Sequence, residues 1–166
     1  MDWYLTVLRF LHVTFAIVVI GSVAYNVLFL GPALSRLDPS VQRPAMLAIG
    51  PRVAVGILAS AAVVLATGIL MVLNVLGTSG SDKLFDTDWG RAVTGGFLLS
   101  AVMFSISVTF VIRNIFRMRD MALAGTPPSP EQAVRMQKQI RYGGMVALTI
   151  GLIAIFAMVM ARGYHP

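Results

Sequence analysis

Two side chains carry most of the chemistry this sequence offers, Arg9 and His12. They stand one helical turn apart in a stretch that is otherwise apolar from about Trp3 to Leu30. An ionisable group at membrane depth is costly, so it marks either a functional site or a residue with a dedicated partner. Neutral imidazole binds haem iron or a transition metal through one ring nitrogen, which makes His12 the candidate metal ligand. Arg9 can pair with a haem propionate. The structural alternative is that Arg9 reaches outward to the headgroup region while His12 bonds a carbonyl of a neighbouring helix. The residue types alone leave both open.

Depth along the chain suggests what faces His12. It lies nine residues from Trp3, about 13 Å at the 1.5 Å rise of an α-helix. The same depth on the other apolar stretches falls at Thr67-Gly68, Gly95-Gly96 and Ile153. Glycines opposite an imidazole suit a flat macrocycle, so His12, Arg9, Gly68, Gly96 and Arg162 form the expected contacts of a haem b. Arg162, at the outer end of the last stretch, is the second candidate for a propionate. The only other histidine, His165, lies beyond that stretch and reads as solvated. A second axial ligand would then be Met71, Met103 or Met158, or be absent. Methionine sulfur with imidazole also suits Cu(I), which makes copper the alternative metal, although no Met-x-x-Met or His-Met cluster occurs. The same small residues also fit plain close packing of helices. Gly56, Ser60 and Thr67 recur on one stretch, Gly96, Ser100 and Ser107 on the next, and Gly144 and Gly151 on the last.

Other chemistries have no residues to run them. The chain lacks cysteine and shows no Ser/His/Asp arrangement, no phosphate-binding glycine loop and no paired carboxylates within the apolar stretches. A proton relay needs several ionisable groups across the membrane. Asp82, Asp86 and Asp88 share their loop with Lys83 and Arg91 and read as solvated charge. Whether the protein is an enzyme stays undetermined.

The elements that position these residues are membrane helices. Of 166 residues, 57% are hydrophobic and 12% charged, against roughly 25% charged in a soluble domain. Four stretches reach the ~20 apolar residues a span requires: about 3–30, 53–76, 89–112 and 140–162. The expected fold is therefore all-α, a single membrane domain over 1–166 forming a four-transmembrane-helix bundle. The first stretch begins with Met1-Asp2 and has no small-residue cleavage site, so it reads as a retained span rather than a signal peptide. Gly31-Pro32 is the expected end of the first helix.

Charge orients the bundle. Loop 31–52 holds three arginines and loop 113–139, with the adjoining Arg141, holds six basic residues. Those nine face only Asp38, Asp120 and Glu131, so the net charge of +6 sits on one side. Arg9, Lys83, Arg91 and Arg162 on the other side are balanced by Asp2, Asp82, Asp86 and Asp88. Loops 31–52 and 113–139 are expected in the cytoplasm, with both termini and loop 77–88 outside. The expected location is a bacterial inner membrane. Partners are the lipid bilayer and a second copy or a membrane-complex subunit, not nucleic acid. Ser129-Pro130-Glu131-Gln132 reads as an N-cap, a first-turn proline and a capping-box glutamine. The fourth helix should start there and place Gln132, Arg135, Gln139 and Arg141 in water or among headgroups. The third helix should likewise overrun through Arg113 and Arg117. A weaker cue at Asp38-Pro39 hints at two similar helical hairpins.

The opening segment Trp3-Tyr4-Leu5-Thr6-Val7-Leu8-Arg9-Phe10-Leu11-His12 resembles the first helix of a group of small bacterial membrane proteins. That group comprises the copper-resistance protein D domain, an uncharacterised four-helix family and the HemJ-type protoporphyrinogen oxidase. The Leu11-His12 pair, Gly21 and Pro32 carry the resemblance, with Thr67-Gly68 in the second span and Met158 to Arg162 at the end of the last. It implies haem binding through His12 in the oxidase branch and copper handling in the copper-resistance branch. The oxidase branch also uses a lysine early in span three. Here the segment after Trp89 reads Gly90-Arg91-Ala92-Val93-Thr94 and has none, so the chain is most similar to the uncharacterised branch.

Overall fold

The computed structural model describes residues 3–79, 85–126 and 128–161. These residues form four long helices and, among them, no strand. Helix α1 spans Trp3–Leu34, α2 Pro39–Ser79, α3 Asp88–Leu123 and α4 Pro130–Ala161. All four are long and apolar enough to cross a membrane. The all-α four-helix bundle is therefore as expected, and the protein belongs to the multi-pass membrane class by helix length and composition.

The distribution of side-chain sizes fits that class. Among the described residues, Ala54 and Ala147 are the most deeply buried hydrophobic ones, at 1% and 0% exposure, and no large side chain is fully buried. Phe10, Ile17, Phe29 and Phe156 instead point outward. A soluble bundle would invert this arrangement. In lipid, small residues let helices approach while large apolar ones face the hydrocarbon.

The helices exceed the apolar stretches at the basic end. Residues 39–52 are helical despite Pro44 and Pro51, so the connection between α1 and α2 shrinks to residues 35–38. The loop expected over 31–52 rested on lost apolarity, and a helix outside the hydrocarbon needs none. Gly31-Pro32 does not end α1 either, because proline is tolerated in the first turn of the helical segment that follows a π-helical turn. The third helix overruns through Arg113 and Arg117 as expected. It ends in a Schellman motif, with Thr126 N–H on the Met121 carbonyl and Gly125 on the Ala122 carbonyl. Gly125 takes the φ of +67° that this turn demands. The capping box of α4 is present in both directions. Gln132 N–H meets Ser129 Oγ at 3.2 Å, and Ser129 N–H meets Gln132 Oε1 at 3.3 Å.

Packing groups the helices as two hairpins, α1 with α2 and α3 with α4. The second is assembled by knobs over glycines. Met158 of α4 lies against Gly96, Met103 of α3 against Gly151, and Phe110 of α3 against Gly143. The α3 partners recur every seven residues, which keeps one seam facing the other helix over about four turns. Helix α1 joins α4 by the same device, with Ile20 over Gly151 and Val27 over Gly144. At the basic end, Ile115 of α3 rests on Gly50 of α2.

Two π-helical turns interrupt these rods, Asn26–Leu30 in α1 and Ser107–Ile112 in α3. They carry Val27 and Phe110 onto the adjacent glycines Gly144 and Gly143 of α4. The widened turn closes with Gly31 N–H on the Asn26 carbonyl in α1 and Arg113 N–H on the Val108 carbonyl in α3. Both wide turns therefore grip α4 at one level.

Candidate functional site

His12 sits half-buried on α1 with its ring against α2. Its Nδ1 lies 3.0 Å from the Val64 carbonyl oxygen and 3.1 Å from Thr67 Oγ1. A carbonyl only accepts, so Nδ1 carries the proton and Nε2 holds the lone pair of the neutral ring. Thr67 completes the arrangement. Its hydroxyl donates to the Val63 carbonyl at 2.7 Å, which leaves an oxygen lone pair facing the imidazole. Thr67 is 5% exposed, so its polar atom is one the bundle must satisfy.

The sequence of α2 permits this contact at one place. A side chain at Gly68 would put its Cβ 3.2 Å from His12 Cε1 and 3.6 Å from Nδ1. Glycine there lets the ring reach the backbone of the preceding turn. Thr67 and Gly68 are the pair that the depth count places opposite His12, and they meet it. The alternative in which His12 bonds a neighbouring carbonyl is the geometry observed.

The other expected contacts lie elsewhere. Arg9 is exposed, in keeping with a side chain that reaches outward. Gly96 is at the expected level but faces Met158 on α4. Depth along a helix gives the level of a residue, not its bearing, and this face of α3 turns to its hairpin partner. Arg162 and His165 lie outside the described residues. Met103 fills the space over Gly151, so two of the three methionines weighed as axial ligands serve as packing knobs.

These positions bear on whether a haem suits the site. Gly68 is covered by the imidazole itself and Gly96 by Met158, so neither glycine offers an open face to a macrocycle. Among the described residues no three His, Cys, Asp or Glu side chains converge as a metal site. Asp88, one of the three aspartates between the second and third apolar stretches, pairs with Arg91. Thr87 caps the start of α3 through a 3.0 Å bond from Gly90 N–H.

A second polar tie, which the sequence reading missed, lies near the basic end. Asn114 of α3, 7% exposed, donates from Nδ2 to the Phe110 carbonyl at 2.8 Å and to Gln139 Oε1 of α4 at 3.0 Å. Gln139, expected in water or among headgroups, is half-buried and committed to this bond. An asparagine at the edge of an apolar stretch looks like an interfacial residue, but here it follows a π turn and lies buried. A groove of 930 Å³ runs along α3 and α4 at this end and includes none of the His12 residues.

No family model matches the chain, and neither a curated protein nor a solved structure does. The resemblance to the copper-resistance and HemJ-type group therefore rests on the quoted residues alone.

Proposed function

We propose that the protein is a non-catalytic structural or accessory subunit of a membrane, in which His12 ties α1 to α2. One observation carries this reading: the imidazole is bonded to Val64 and Thr67 on the neighbouring helix, with Gly68 shaped to receive it. The charge asymmetry supports an orientation with the basic end in the cytoplasm and both termini outside, in an inner membrane. A C-terminal reporter should accordingly be active only in a periplasmic form, and cytoplasmic activity would reverse the orientation.

A second reading, haem b on His12 for redox or haem-handling work, keeps one supporting feature. Ligating histidines usually donate their other ring N–H to a carbonyl, and Nδ1 does so here. The filled glycine positions weigh against it, and copper has less support still. One preparation separates the readings. Detergent-purified protein from haem-replete cells should show no Soret band and no stoichiometric copper, while His12→Ala lowers its melting temperature. A Soret band that His12→Ala abolishes would overturn the structural reading and establish the second.

A further inference from the structure

We propose that the groove along α3 and α4 at the basic end binds one anionic phospholipid, its acyl chain in the apolar part and its phosphate at Arg135 and Lys138. Independently of His12, the groove changes character along its length. Ile106, Phe110 and Val146 line the end within the spans, and Tyr142 stands exposed midway. Arg135 and Lys138 line the end beyond them. From Val146 to Lys138 is eight residues, about 12 Å of helix, which is the offset between an acyl segment and its headgroup. The exposed Tyr142 marks the level of the interface, where aromatic residues with a polar tip collect.

The charge is available to a ligand. Glu131 also lines the groove, one turn farther from the spans. Yet among the described residues neither Arg135 nor Lys138 forms an ion pair with a carboxylate. The floor is fixed, because Asn114 and Gln139 hold α3 to α4 beneath it. Basic pockets between membrane helices beside apolar walls recognise anionic headgroups, whereas a zwitterionic lipid offers the same chains without the net charge.

Native mass spectrometry of the full chain tests this, with an equimolar mixture of phosphatidylglycerol and phosphatidylcholine of identical acyl chains as probe. One phosphatidylglycerol should be retained in preference. Arg135→Gln/Lys138→Gln should weaken retention on the order of thirtyfold, each basic side chain contributing about fivefold near an anionic surface. Val146→Trp, which fills the apolar end and leaves the charges, should weaken it as well. Arg36→Gln/Arg52→Gln removes the same charge elsewhere at this end and should leave retention unchanged. Equal loss in that control, equal retention of both lipids, or no loss in Val146→Trp overturns the proposal. Competition by free inorganic phosphate at millimolar concentration also overturns it, because it assigns the cations to a soluble anion. Circular dichroism in zwitterionic detergent confirms that each variant is folded.

Discussion

The two hairpins are held by different physics. In α1–α2 the described specific contact is polar: one imidazole shares its proton with a carbonyl and a threonine hydroxyl. In α3–α4 the contacts are steric, with methionine and phenylalanine set over glycines at seven-residue spacing. A polar bond within a membrane stabilises modestly, about 0.6 kcal/mol on average and up to about 1.7, because the separated helices also find partners. Its strength is directional, so it fixes the rotation of α1 about its axis. Knobs over glycines add up along the seam and tolerate small rotations, but they fail abruptly when the space closes. The difference predicts which positions are brittle.

The largest effect should come from Gly143→Val. A Cβ there would lie 2.7 Å from Phe110 Cβ, an atom that cannot retreat without moving the α3 backbone. Overpacking of this kind costs about 1–3 kcal/mol, and the rigid neighbour puts this site at the upper end. The substitution acts on the wide turn of α3, since Phe110 and Val111 are the neighbours a side chain there would meet. Denaturation in a mild detergent, followed by intrinsic fluorescence, should show the loss. A change below 0.5 kcal/mol would mean that the seam is softer than a glycine-knob contact.

His12→Ala should be next, at about 1–2 kcal/mol, combining one intramembrane bond with the space left by the ring. The comparison requires its effect to fall on α1 and α2. Cross-linking between cysteines introduced on those two helices should loosen, while a pair on α3 and α4 stays unchanged. If both pairs loosen equally, the hairpins do not act as separate units.

Gly68→Ala sharpens the polar side. At 3.2 Å from Cε1, the new methyl forces the imidazole back by a few tenths of an ångström and lengthens the bond to Val64. The expected loss is below about 1 kcal/mol. It should vanish in a His12→Ala background, because the methyl then meets only the space the ring has left. A penalty that persists without His12 would show that Gly68 serves helix packing rather than the imidazole.

The same contrast explains what was legible beforehand. Span count and the level of Thr67-Gly68 follow from apolar length and a constant rise, so counting puts residues 67 and 68 at the depth of His12, as it does Gly95 and Gly96. The capping box at Ser129 is equally local. Bearing around a helix is not local, which is why Gly96 has Met158 as its neighbour instead of His12. The π turns at Asn26 and Ser107 shift every residue after them, and no residue type announces them. Asn114, which bonds Gln139, lies just after one of these turns. Residues 39–52 lose apolarity, which predicts a loop, yet a helix beyond the hydrocarbon is stabilised without it. The acceptor for His12 is a backbone carbonyl, and every residue has one.

The smallest predicted effect is the most discriminating about glycine. Gly95 and Gly96 are neighbours on α3, identical in type, and within one residue of the same depth. A Cβ on Gly96 would come within 2.5 Å of Met158 Cε, whereas a Cβ on Gly95 would meet nothing within 4 Å. Alanine is the better helix former by about 1 kcal/mol, through the lost freedom of the unfolded chain. Gly95→Ala should therefore leave stability unchanged or raise it slightly. Gly96→Ala sets the same gain against the displacement of a flexible methionine, so it should fall below Gly95→Ala by a few tenths of a kcal/mol or more. Truncating the knob, as Met158→Ala in the Gly96→Ala background, should remove that difference. If Gly95→Ala is the more harmful of the two, the face of α3 assigned to α4 is wrong, and the steric half of the comparison falls with it.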